Sequence, residues 1–157
     1  SNIARLGMMK TGIDMGINNP IFGVGLGQFG FNAKQYIEDK ALKSYEVKEW
    51  LSNNPEDPWP PVFSTHIRVL AEQGIVGFII WILLWISFGI RIYKVWKKNI
   101  DDYEGICLIV SWIGIILSAF TMDTYAYFPM WLLLVLGINY ISNARTICLK
   151  ENKGVMK

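Results

Sequence analysis

Apolar residues follow two different patterns along this chain. Near the start, Ile3, Leu6, Met9, Ile13 and Ile17 recur at steps of three and four, the spacing of one face of an α-helix. From residue 75 onward the pattern changes to three nearly unbroken apolar runs, 75–93, 105–122 and 125–141. The first carries no charge before Arg91, and the second carries none. Nineteen helical residues reach roughly 28 Å, close to a hydrocarbon core of about 30 Å, so the runs predict transmembrane helices. The third is shorter and opens with Pro129 near its first turn, where proline is tolerated.

Between these patterns lie punctuating stretches. Asn18-Asn19-Pro20 stops the first helix, because a residue before proline avoids the helical region. Residues 33–52 mix charges with Tyr36, Ile37, Ala41, Tyr45 and Trp50, and predict one or two short amphipathic helices on a surface. Four prolines between 55 and 61 then preclude a regular helix. Ser64 or Thr65 is placed to cap a helix that runs from His66 toward the first apolar run.

Charge sets the orientation. Residues 1–74 carry 15 of the 28 charges, so the polar part of the chain precedes the apolar part. Arg91, Lys94, Lys97 and Lys98 fall in one short connection, and Arg145, Lys150, Lys153 and Lys157 in the tail. The loop between the second and third runs has Asp123 alone. The positive-inside rule then puts both basic segments in the cytoplasm and residues 1–74 with Asp123 on the outer side. The chain begins with Ser1 and shows no secretory signal pattern, so the expectation is a C-terminal fragment whose upstream spans place residues 1–74 outside. A net charge of +2 with no arginine-rich tract argues against a nucleic-acid partner. Cys107 and Cys148 fit no disulfide or metal spacing, and no metal or other cofactor is expected.

Three stretches carry candidate chemistry. Gly25, Gly27 and Gly30 satisfy G-x-G-x-x-G, but a dinucleotide site needs a strand before it and an acidic residue about 20 positions on. Here a helix precedes it. A turn that brings the backbone close to another element is the reading, and amides at Gly25 and Gly27 could also hold a phosphate. His66, Arg68 and Glu72 sit where the chain meets the membrane boundary, with Arg68 and Glu72 on one helix face. Arg5 and Lys10 add positive charge on the same side, and arginine's planar fork suits phosphate. Asp123 reads either as a base or as a helix-end carboxylate.

The NP-x-x-G-x-G-x-G-x-F block at 19–29 and the A-E-x-G-x-x-G block at 71–77, in this order around a long outer loop, resemble the C-terminal part of the O-antigen ligase and polymerase superfamily. The resemblance covers nearly the whole chain. It implies an all-α, multi-span membrane protein with a glycosyltransferase C-like fold, acting at the outer face of a bacterial cytoplasmic membrane. It implies metal-independent transfer of glycan from an undecaprenyl-diphosphate carrier, with Arg5 holding the diphosphate. The ligases of this family commonly have a histidine eleven residues before the glycine matching Gly74, and that position here is Phe63. The departure favours a polymerase, which extends a lipid-linked repeat, over a ligase, which transfers to lipid A core or another acceptor. His66, one helical turn later, is the candidate base, Arg68 a second diphosphate contact, and Lys10, Glu72, Gly25 and Gly27 substrate-binding residues. Outside this family, a non-enzymatic polysaccharide export subunit is the rival reading, though the runs hold few polar residues to line a pathway.

Overall fold

The computed structural model describes residues 2–52, 59–98 and 101–154. Most of the proline-rich approach, at 53–58, and the side chains of Arg145, Cys148, Lys150, Lys153 and Lys157 lie outside the described residues. The protein is all-helical, with no strand among the described residues. Among the described residues, six α-helices follow in order: α1 (Asn2–Asn18), α2 (Phe29–Tyr36), α3 (Tyr45–Trp50), α4 (Thr65–Trp96), α5 (Tyr103–Ser118) and α6 (Phe128–Gly154), with one 3₁₀ turn at Ala41–Lys43. They form two compact units: Ser1–Ile82 with Ser118–Tyr125, and Leu83–Leu117 with Ala126–Lys157.

In the first unit, α1 ends at Asn18, ahead of Pro20 as the sequence requires. Its apolar stripe faces outward. Ile3, Leu6 and Ile17 are exposed, while Ala4, Met8, Thr11, Gly12, Met15 and Gly16 are buried. Glycines share the inner face with Met8 and Met15 because α1 runs close to the start of α4, where Gly12 and Gly16 lie against Ile67 and Leu70. The core is completed by Phe29 and Ala33 of α2, Val47 of α3, and Val62 and Ala71. Ser64 caps α4, its Oγ accepting from the Ile67 amide at 3.4 Å.

The loop after α5 docks on the same helix start. The Thr65 amide and the Ser64 hydroxyl donate to the Ala119 carbonyl at 2.9 and 3.3 Å, and Thr65 Oγ1 donates to the Met122 carbonyl at 2.8 Å. Those tertiary bonds take up carbonyls that a longer α5 would direct along its own axis. The helix therefore stops at Ser118, short of the 105–122 run read from the sequence.

In the second unit, Asp102 caps α5 by accepting from the Glu104 and Gly105 amides at 3.1 and 3.4 Å. The Tyr140 hydroxyl of α6 donates to the same carboxylate at 2.6 Å. The Trp112 indole donates to the Trp85 carbonyl at 3.1 Å. Many outward side chains here are apolar, among them Leu83, Ile90, Val110, Leu117, Val135 and Ile138.

Among the described residues, one helix, α4, is long and apolar enough to cross a membrane. The other apolar segments, Tyr103–Ser118 and Phe128–Ala144, are shorter than that measure. The helix of the third apolar run, α6, opens at Phe128, three residues later than the start of that run at 125. Cys107 is an exposed free thiol.

Candidate functional site

The glycine turn that follows Pro20 and the A-E-x-G-x-x-G block at 71–77 are locked together. Gly74 interrupts α4 with φ 65° and ψ −165°, a region essentially reserved for glycine. The break leaves carbonyls at the end of one helical segment and amides at the start of the next without helical partners. Residues 20–25 supply partners for two groups of each set. The Val24 and Gly25 amides donate to the Ala71 and Glu72 carbonyls at 3.0 and 2.9 Å. The Ile75 and Val76 amides donate to the Pro20 and Ile21 carbonyls at 2.8 and 3.4 Å. The approach is so close that a Cβ on Gly23 would lie 2.4 Å from the Glu72 carbonyl carbon, and one on Gly74 2.4 Å from the Ile21 oxygen. The turn expected from the glycines is present, and its partner is the break in α4.

The Glu72 side chain finishes the lock. It is fully buried. Its carboxylate accepts from the Gly27 amide at 3.0 Å, the Phe29 amide at 3.4 Å, Arg68 Nη1 at 3.0 Å and the Tyr125 hydroxyl at 3.4 Å. A buried carboxylate needs such partners, because leaving it unpaired would cost several kcal/mol. The Gly25 and Gly27 amides, candidate phosphate donors in the sequence, are therefore turned onto the Glu72 carbonyl and carboxylate.

Arg68 is held in the same way. Its Nε and Nη2 reach the two Asp123 oxygens at 2.6 and 3.0 Å, a bidentate pair, while Nη1 takes Glu72. Its side chain is 11% exposed, and its guanidinium lies over the Phe29 ring. Asp123 also accepts from the Val62 amide. Arg68, read from the sequence as a diphosphate contact, is thus bound by two carboxylates, and Asp123, read as a base or a helix-end group, is its counter-ion.

Arg5 lies elsewhere in this unit. It is exposed and sits 5.1 Å over the Phe63 ring. With Asn2, Glu46, Trp50 and Phe63 it lines a cavity of about 320 Å³. Asn2 and Arg5 share a face of α1, and Glu46 and Trp50 share a face of α3. Phe63 adopts φ 64°, a left-handed conformation that costs a bulky residue about 1–2 kcal/mol. Its ring packs on Trp50 with centroids 5.6 Å apart. The cavity thus combines a guanidinium, a carboxylate, an amide and two aromatic rings.

His66 does not line this cavity. It is half-buried in the first turn of α4, beside Phe120, and its Nδ1 accepts the Trp81 indole proton at 3.1 Å. A neutral imidazole that accepts at Nδ1 carries its proton on Nε2. It must give up Trp81 before that nitrogen can take a proton from a substrate. Lys10 pairs with Glu38 on the surface, and that hydrogen bond and charge hold the Glu38 carboxyl below its ordinary range.

The sequence reading missed Glu46 and Trp50 as residues that line one cavity with Arg5. Their i, i+4 spacing is visible in the sequence, but nothing local says that α3 meets the start of α1. Comparison with known proteins found no matching family, no matching curated protein and no matching solved structure.

Proposed function

We propose that this chain belongs to an envelope polysaccharide polymerase of the O-antigen type, with residues 1–74 on the outer side of the membrane and the later helices within it. It would transfer glycan from an undecaprenyl-diphosphate carrier to a lipid-linked acceptor repeat at the outer face of a bacterial cytoplasmic membrane. The observation that carries the reading is the lock between residues 19–29 and 71–77. These are the two blocks on which the family resemblance rests, and they hold each other through four backbone bonds and a buried carboxylate.

The membrane arrangement within this reading has three spans, formed by α4, α5 and α6. The apolar side chains they turn outward suit hydrocarbon better than water. A three-span path puts the loop after α5 on the same side as residues 1–74. The bonds from Thr65 to Ala119 and Met122, and from Arg68 to Asp123, agree with that path. The basic residues near the far end of α4 then face the cytoplasm.

The chemistry is a displacement at an anomeric carbon. The acceptor hydroxyl oxygen bonds to that carbon as the bond to the diphosphate oxygen breaks, and the hydroxyl proton passes to a base. The leaving diphosphate gains negative charge, which a positioned guanidinium stabilises. We assign that guanidinium to Arg5, which is exposed and borders a cavity, rather than to Arg68, which is enclosed by Asp123 and Glu72. An aromatic residue, Phe63, where the ligases carry a histidine favours a polymerase within the superfamily.

The test is deletion of the gene in its host, with lipid-linked and cell-attached glycans separated by chain length. Single repeats without long chains support a polymerase. Long chains retained on the carrier indicate a ligase. An unchanged ladder in a host with no redundant enzyme rejects both.

A further inference from the structure

We propose that the cavity bounded by Asn2, Arg5, Glu46, Trp50 and Phe63 is a sugar-binding subsite that takes one neutral hexopyranose ring. The assignment to the acceptor sugar rests on the polymerase reading; the binding itself does not. The chemistry of the lining selects the ligand class. The Arg5 guanidinium and the Glu46 carboxylate bring opposite charges to one lining, so a ligand without net charge that both donates and accepts hydrogen bonds suits it better than a lone cation or a wholly apolar ligand. A pyranose has an apolar C–H face for an aromatic ring and a rim of hydroxyls that both donate and accept. Trp50 and Phe63 supply the aromatic wall, and Glu46, Asn2 and Arg5 supply the acceptors and donors.

Two further features mark the cavity as built. Its walls come from three separate places, the first turn of α1, one face of α3 and the turn before α4. The Phe63 ring is held there by a left-handed backbone that an ordinary turn would not need, and such strain persists where the surroundings enforce it. Arg5 already covers Phe63, and Trp50 is the other ring in the lining, so the proposal assigns the sugar face to Trp50.

The experiment is saturation-transfer NMR on the full-length protein in lipid nanodiscs. The probes are methyl glycosides of glucose, galactose, mannose, N-acetylglucosamine, N-acetylgalactosamine and rhamnose. At least one should receive saturation at its ring C–H protons, and Glu46→Gln should weaken that binding about tenfold or more, the scale of a lost charge-assisted hydrogen bond. Trp50 also packs on the core, so Glu46→Gln and Asn2→Ala, which keep that packing, carry the test even where a Trp50 variant fails to fold. No saturation of any probe by folded wild-type protein overturns the proposal. So does binding that Glu46→Gln and Asn2→Ala leave unchanged. Binding that responds to Glu46→Gln, with a normal glycan ladder after gene deletion, keeps the subsite and rejects the polymerase. A lost ladder with no sugar binding does the reverse.

Discussion

Replacing Gly74 with alanine tests the lock directly. The substituted residue would have to keep φ 65° and ψ −165°, which costs a non-glycine residue about 1–3 kcal/mol. Its Cβ would lie 2.4 Å from the Ile21 oxygen, 2.5 Å from the Ile21 carbonyl carbon and 2.6 Å from the Gly23 nitrogen. All three are backbone atoms, so no rotamer change relieves the clash. Residues 20–23 must move, which endangers the bonds from Ile75 to Pro20 and from Val76 to Ile21, each worth about 1 kcal/mol net. The expected total is about 3–5 kcal/mol, a large share of a typical folding free energy. Thermal unfolding in a membrane mimic is often irreversible, so hydrogen exchange at single amides is the better assay. The Val24, Gly25, Ile75 and Val76 amides should exchange about a hundredfold or more faster in Gly74→Ala than in wild type. Gly23→Ala, which meets the Glu72 carbonyl carbon from the other side, should expose the same four amides. Gly114→Ala, with nothing within 4 Å of its added Cβ, is the control and should leave them protected. Unchanged protection in Gly74→Ala would refute the lock.

Three further outcomes follow from the same geometry. Arg68→Ala strands the buried Glu72 carboxylate and should destabilise the protein by about 3–5 kcal/mol, seen as a large drop in melting temperature, whereas exposed Arg5→Ala should melt with wild type and lose glycan transfer. At Phe63, glycine should be more stable than alanine, against their usual order, because both lose the ring while only glycine accepts φ 64°; parallel melts of the two variants read the difference. The Lys10–Glu38 pair stabilises above the ordinary Glu range and loses that contribution as pH falls through the lowered Glu38 value; being exposed, it should fade in high salt, and melts of wild type and Glu38→Gln across pH and salt check this.

Local rules carried several features from sequence to structure. The stop at Asn18 and the Ser64 cap follow from proline and hydroxyl chemistry, which act over a few residues. The Arg68–Glu72 pair follows from i, i+4 spacing. The break at Gly74 was not legible, because a lone glycine in a helical pattern is compatible with an unbroken helix. Only the arrival of residues 20–25 makes that break favourable. The role of Asp123 was hidden for a similar reason, since its partner Arg68 lies 55 positions away. The α1 stripe gave the helix but not its inner face, which carries Ala4, Met8, Gly12, Met15 and Gly16. Arg5 and His66, grouped by charge and by side of the membrane, belong to different surroundings: one borders the aromatic cavity, the other is hydrogen-bonded to Trp81.

The central claim is glycan transfer that depends on Arg5. The most direct measurement supplies the full-length protein in nanodiscs with undecaprenyl-diphosphate-linked repeats from its host and follows chain length with time. The reading expects a growing ladder from wild type and single repeats from an equally folded Arg5→Ala variant. A folded wild-type protein that never extends the repeat, or an Arg5→Ala variant that extends it at the wild-type rate, would contradict it.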